Sequence, residues 1–125
     1  DLLLLTEYVR GDLGRFIAHR ATGGTGQLPA IVLDVEVEQT IRQSIKQTPA
    51  GNFLTLEPQQ VEQLLETLEE LVGMQPPPNL AIVTSMDIRR YFRRMIEQRM
   101  KWLQVYSFQE LGDDVDLRPV GRVAF

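Results

Sequence analysis

The sequence predicts an α/β fold: a small, mainly parallel sheet of about four strands with helices packed on it, preceded by a separate helix. Two short apolar runs, "PAIVLD" and "NLAIVTS", each pass directly into a stretch whose apolar residues recur at helical spacing. Two more extended segments, "LQVYSFQEL" and "VDLRPVGRVAF", close the chain. Strands separated by helices pair in parallel, because a crossover helix returns the chain to the same end of the sheet. A hydrophobic share of 43% against 24% charged residues supplies a buried core for one domain in 125 residues.

The chain opens on "DLLLLTEYVR", in which Leu2, Leu5, Val9, Leu13 and Phe16 step along one helix face. Gly11 and Gly14 weaken that helix by about 1 kcal/mol each. Four consecutive leucines are too few for a secretory signal or a membrane span. A start on helical pattern without methionine is expected of a piece of a longer protein. "ATGGTGQLP" ends the helix and marks a boundary.

"PAIVLD" reads as a buried strand ending at Asp34. Val37, Ile41 and Ile45 then predict a helix, with Glu36 and Glu38 in its first turn and Arg42 and Lys46 towards its end, an order that suits the helix dipole. Alternation in "VLDVEV" leaves a longer strand as the other reading. "QTPAGNF" reads as a loop. "TLEPQQVEQLLETLEELVG" is a helix with Pro58 in its first turn, Val61, Leu64, Leu65, Leu68, Leu71 and Val72 in one stripe, and Gly73 at the C-terminal cap. The prolines of "MQPPPN" forbid its continuation.

After the strand in "NLAIVTS", Thr84 and Asp87 stand at capping-box spacing. Ile88, Tyr91, Phe92, Met95 and Ile96 share the inward side of the helix that follows, and Arg89, Arg90, Arg93 and Arg94 fall opposite. "LQVYSFQEL" gives a strand ending near Ser107. Pro119 assigns the last strand to an edge or a bulge.

Charge is uneven. Between residues 84 and 101 five arginines and Lys101 stand against Asp87 and Glu97, a local +4 in a chain of net charge -4, so the remainder carries -8. For the arginine face three readings stay open: a solvated side on which Arg93 and Glu97 pair at i, i+4, a protein-contact surface, and a nucleic-acid surface. The last is disfavoured by the acidic remainder and by aromatics that point inward.

No catalytic constellation is legible. Without cysteine there is no disulfide, thiolate zinc site or cysteine nucleophile. His19 lacks a second ligand or triad partner, "GGTG" follows a helix instead of opening one, and Ser44, Ser85 and Ser107 lack a nucleophile-elbow context. Asp34, Glu36 and Glu38 admit a magnesium site at a strand's carboxyl end, but helix capping accounts for acidic residues there. No enzyme activity, cofactor or metal is expected. The alternative is a small α/β nucleotide- or acidic-ligand-binding module.

"AIVTSMDIRRYFRRMIEQR", "LQVYSFQEL" and "LRPVGRVAF" together resemble the carboxyl-terminal end of the FHIPEP family, the large export-gate proteins of type III secretion systems and flagella. "EYVRGDLGRFI", "LDVEVEQTIRQSI" and "LEPQQVEQLLETLEEL" fit in order, and "EVEQTIRQSI" with the arginine-rich helix is similar to the virulence, or injectisome, branch. The resemblance implies a cytoplasmic domain at the bacterial inner membrane, with membrane contact only through an upstream amino-terminal domain. It implies partners: other copies in a ring, export-apparatus components, chaperone-bound substrates and gatekeeper proteins, and no nucleic acid. Residues 1–27 would be the last helix of the preceding ring-building subdomain with its linker, a neighbour of the α/β subdomain at 28–125. It carries over no catalytic motif and leaves Arg89, Arg90, Arg93 and Arg94 as protein-contact candidates.

Overall fold

A computed structural model describes residues 5–6 and 14–125 of the chain. Helix α1 spans Gly14–Thr22. Of the apolar stripe expected around it, Leu2, Val9 and Leu13 lie outside the described residues, whereas Leu5 and Phe16 are exposed. The helix is held by smaller residues, Ala18 and Ala21, which are buried. Gly23 and Gly24, at φ +62° and +84°, then turn the chain, their N–H groups bonding the carbonyls of Arg20 and His19.

Strand β1 spans Gln27–Leu33 and helix α2 spans Val35–Gln43. Asp34 separates them as N-cap, its carboxylate accepting from the Glu36 N–H at 3.4 Å, so the longer strand is not formed. The helix stops at Gln43, earlier than its apolar spacing predicts. Ile45 instead opens strand β2, Ile45–Thr48, which pairs antiparallel with β3, Gly51–Leu54. The stretch read as a loop is therefore most of a hairpin. Pro49 presets the turn, and Gly51 takes φ +129°, a conformation that disfavours any residue with a β-carbon.

Helix α3 spans Pro58–Val72, with Glu57 as N-cap and Pro58 at its first position; Leu64, Leu65, Leu68 and Val72 are buried. Gly73, at φ +70°, closes it by donating to the Glu69 carbonyl. Strand β4, Ala81–Thr84, is buried throughout. Helix α4 spans Met86–Ile96 and is capped at Ser85, not at Thr84, and no capping box forms. Thr84 still belongs to the strand, and Asp87 is drawn to Arg42 instead. Strand β5, Gln104–Ser107, leads into a one-turn helix that the sequence reading missed, α5, Phe108–Leu111. The Ser107 hydroxyl accepts from the Glu110 N–H, and the Glu110 carboxylate accepts from the Ser107 N–H at 2.9 Å. Strand β6, Asp116–Val123, ends the fold.

The sheet order is β5-β4-β1-β6, with every pairing parallel. Pro119 lies in edge strand β6 beside a register shift opposite Ala30 and Ile31, so the proline sits at both an edge and a bulge. Alternation along the strands divides the core in two. Ile31, Leu33, Ile82, Leu103 and Val105 face α2, α3 and α4 with Ile41, Leu68, Ile88 and Phe92. Leu28, Ala30, Ala81 and Val83 face α1 and α5 with Ala21 and Leu111. The second face is lined by small residues, which lets its helices lie close. At Gly14 an added β-carbon would stand 2.8 Å from the Glu110 carbonyl oxygen. No described helix is long and apolar enough to cross a membrane.

Candidate contact surface

In parallel α/β sheets, ligands collect beyond the carboxyl ends of the strands, where the strand order reverses. Here the chain moves from β1 to β4 and β5 on one side, then returns to β6 on the other. The reversal lies between β1 and β6, at Asp34. That crevice is occupied by the chain's own charges. Asp34 caps α2 and meets Arg122 at 3.5 Å. Glu38 accepts from both the N–H and the hydroxyl of Ser85, at 3.1 and 2.7 Å, and so caps α4 from a neighbouring helix. Arg42 then grips Asp87 through Nε and, at 3.1 Å, through Nη2. Hydrogen bonding from Arg42 holds the Asp87 carboxyl below its ordinary range, against a smaller opposing effect of burial, and the same pairing raises Arg42. Carboxylates now occupy the amides at both helix starts, the donors a phosphate would use. The geometry therefore disfavours the nucleotide- or acidic-ligand-binding alternative.

Asp34 accordingly acts as a cap and Glu38 as a clamp, whereas Glu36 is exposed in the first turn of α2. Among the described residues no group of three or more His, Asp or Glu is placed to hold a metal ion. His19 is exposed in the last turn of α1. The hydroxyl of Ser44 donates to the Thr40 carbonyl at 2.7 Å, and Ser85 and Ser107 are engaged in the caps described above.

Three grooves border these elements among the described residues, one of them, of about 650 Å³, between α1 and α5. A second, of about 620 Å³, runs between α1, the Pro77–Leu80 turn and β5, and is flanked by exposed Phe16 and Trp102. The third, of about 310 Å³, lies between the β2–β3 hairpin, α3 and α4.

The four arginines of α4 do not share one environment. Arg89 is only 9% exposed and donates to the Val105 carbonyl at 3.3 Å. Arg93 donates to the carbonyls of Leu103 and Lys101, both at 3.0 Å. Alternate carbonyls of an edge strand face away from its only partner, and Leu103 and Val105 are two residues apart, as that alternation requires. The expected Arg93–Glu97 pair does not form, because these backbone acceptors are nearer. Arg90 is half-buried and Arg94 exposed, and neither forms a hydrogen bond or ion pair among the described residues. A helical wheel places all four on the solvent side; the structure leaves that side to Arg90 and Arg94. Arg99, beyond the helix, joins Glu62, at 2.8 and 2.9 Å, to Glu69 on α3.

Sequence reasoning missed the Glu38 clamp, for which no local signal exists, and the Ser107–Glu110 cap, for which "SFQE" is the ordinary signature. It also missed Phe53, 50% exposed on the hairpin, although "TPAG" is a turn signal.

Fold and surface together define a three-layer parallel α/β module in which Arg90 and Arg94 stand unengaged, among the described residues, on one helix face. A family model, described as the FHIPEP family, matches residues 1–116, and the chain belongs to that family. It is 66% identical over 123 residues to Protein hrpC2 of Xanthomonas euvesicatoria, covering 98% of this chain and 19% of the relative. To the hypersensitivity response secretion protein HrcV of Ralstonia nicotianae it is 67% identical over 126 residues, covering 98% and 18%. The chain thus spans about a fifth of the length of these relatives. Its fold matches the solved CdsV protein of Chlamydia pneumoniae, with TM-score 0.91, 36% identity, and coverage of 99% of this chain and 36% of that one. It matches nonameric EPEC SctV-C, with TM-score 0.89, 38% identity, and coverage of 98% and 37%. CdsV in complex with CdsO gives TM-score 0.89, 35% identity, and coverage of 99% and 37%.

Proposed function

We propose that this chain is part of the cytoplasmic domain of the inner-membrane export-gate component of a bacterial type III secretion system, of the injectisome branch, acting by contact and not by catalysis. The observation that carries the reading is the family match along nearly the whole chain, supported by likeness to a domain solved as a nonamer and to one solved with CdsO. On this reading its partners are other copies in a ring, export-apparatus components, chaperone-bound substrates and gatekeeper proteins. The membrane is reached only through an upstream domain. The net -8 outside residues 84–101 argues against nucleic acid.

Within this role Arg90 and Arg94 form the working part of the basic face, while Arg89 and Arg93 hold β5. The test replaces Arg90 and Arg94 by glutamate in the full-length protein in its host and follows secreted substrates alongside the variant's level in the membrane. Secretion falling at least about tenfold at normal protein level is expected if the face meets a partner in export. Unchanged secretion would show the two arginines to be solvated and would remove the contact role.

A further inference from the structure

Among the described residues the β2–β3 hairpin pairs only with itself, and two-stranded ribbons are marginal alone. Ile45 and Leu54 tuck it against the core, but Phe53 stays half exposed. Phe53 and Leu54 form one wall of the groove of about 310 Å³, with Val61 of α3 and Tyr91, Arg94 and Met95 of α4 opposite. Arg94 is the one charged side chain among the described residues of that lining. Lys46 pairs with Phe53 across the hairpin, so it stands on the same face, and Arg90 precedes Arg94 by about one helical turn. None of these three cations has a hydrogen-bonding or ionic partner among the described residues. Arg42, Arg89, Arg93, Arg99 and Arg122 are all engaged within the chain.

An apolar floor with unpaired cations on its rim selects its occupant by two criteria at once. The occupant must offer an apolar side chain to Phe53, Tyr91 and Met95, and it must offer carboxylates to Arg94, Arg90 and Lys46. We propose that this groove docks an acidic segment of a partner protein, seating one bulky apolar anchor between flanking carboxylates. Charge complementarity favours a short segment, which meets the basic rim while avoiding the acidic remainder of the chain. An extended polyanion would be repelled by that remainder. The proposal rests on the reading of the chain as a contact module and adds the surface and the chemistry of the partner.

The probe is a fluorescein-labelled peptide, Ac-EEDLWEEL-amide, titrated with the full chain and followed by fluorescence anisotropy. Saturable binding with a Kd of about 10–100 μM is expected, weakening as salt rises from about 0.05 to 0.5 M. Phe53→Ser and Arg94→Glu, each checked by circular dichroism for an unchanged fold, should weaken it at least about tenfold. Replacing the tryptophan by serine, or the carboxylates by amides, should abolish it. Arg118→Glu, the same charge change on β6, should leave it within about twofold. Absence of saturation by about 1 mM overturns the proposal. So does equal weakening by Arg118→Glu, which would mean general electrostatic attraction. A third overturning result is sedimentation showing that the peptide merely displaces a second copy of the chain. Failed peptide binding beside a secretion defect in the Arg90/Arg94 variant would remove the groove and leave the export role standing. Specific binding beside intact secretion would do the reverse.

Discussion

Strands β5 and β6 both end the sheet, yet they meet solvent by different means. On β5 and the residue before it, four outward backbone groups have partners. Leu103 and Val105 carbonyls take Arg93 and Arg89, the Leu103 N–H meets the Met100 carbonyl at 3.1 Å, and the Ser107 N–H meets Glu110. These are alternate residues, Leu103 just before the strand and Val105 and Ser107 within it. On β6 there is no such canopy among the described residues: a proline and a bulge break the edge, and Arg118 and Arg122 stand exposed beside it. Either device blocks addition of a foreign strand. The first needs long side chains from another element held in place by the core, whereas the second is local. A canopy is therefore fragile to mutation at a distance, and a bulge is not.

The largest expected effect comes from Arg89→Ala. It removes a buried guanidinium that packs against β5 and leaves the Val105 carbonyl without that donor. A loss of about 2 kcal/mol in urea denaturation is expected, with concentration-dependent association in sedimentation velocity as the edge opens. A variant that stays monomeric would break the contrast. Glu110→Ala, which strips the cap from the Ser107 N–H, should cost about 1–2 kcal/mol in the same assay. On β6, Gly121→Ala would set a β-carbon 2.9 Å from Leu71 Cδ2. Because that methyl ends a flexible side chain, about 1 kcal/mol is expected, without association.

Smaller effects sharpen the picture at the carboxyl end of the sheet. Asp87 has a folded pKa below its unfolded value, so its pairing with Arg42 stabilises fully above the unfolded value of about 3.9 and is lost as pH falls through the lower folded value. Asp87→Asn should cost less than about 1 kcal/mol at neutral pH, since the carboxylate is half exposed, and the difference from wild type should vanish in acid. Urea midpoints at the two pH values check this. Smallest of all, Pro119→Ala should change stability by less than about 0.5 kcal/mol, because the bulge still breaks the β6 edge.

Legibility followed the range of the interactions. Helix α3 was visible because Leu64, Leu65, Leu68 and Val72 repeat within one element, and Pro58 and Gly73 punctuate it. The edge placement of β6 was visible through Pro119, whose missing N–H is a local fact. The hairpin was lost because Ile45 continues the helical spacing of Val37 and Ile41, and only its packing beside Leu54 assigns it to a strand. The cap at Thr84 failed for a similar reason: β4 needs that residue, and Asp87 is claimed by an arginine 45 positions away.

By itself the sequence determined the α/β class, the four strands of the main sheet, the principal helices and their inward faces, since these depend on periodicity and on proline and glycine within single elements. It also determined that four arginines share one side of a helix. Only the tertiary structure divided them, because Arg89 and Arg93 lie over the free edge of β5, and which strand lies there is set by the sheet order. The same long-range packing brought Phe53 to Tyr91 and Met95, and so decided where an apolar groove borders the remaining positive charge.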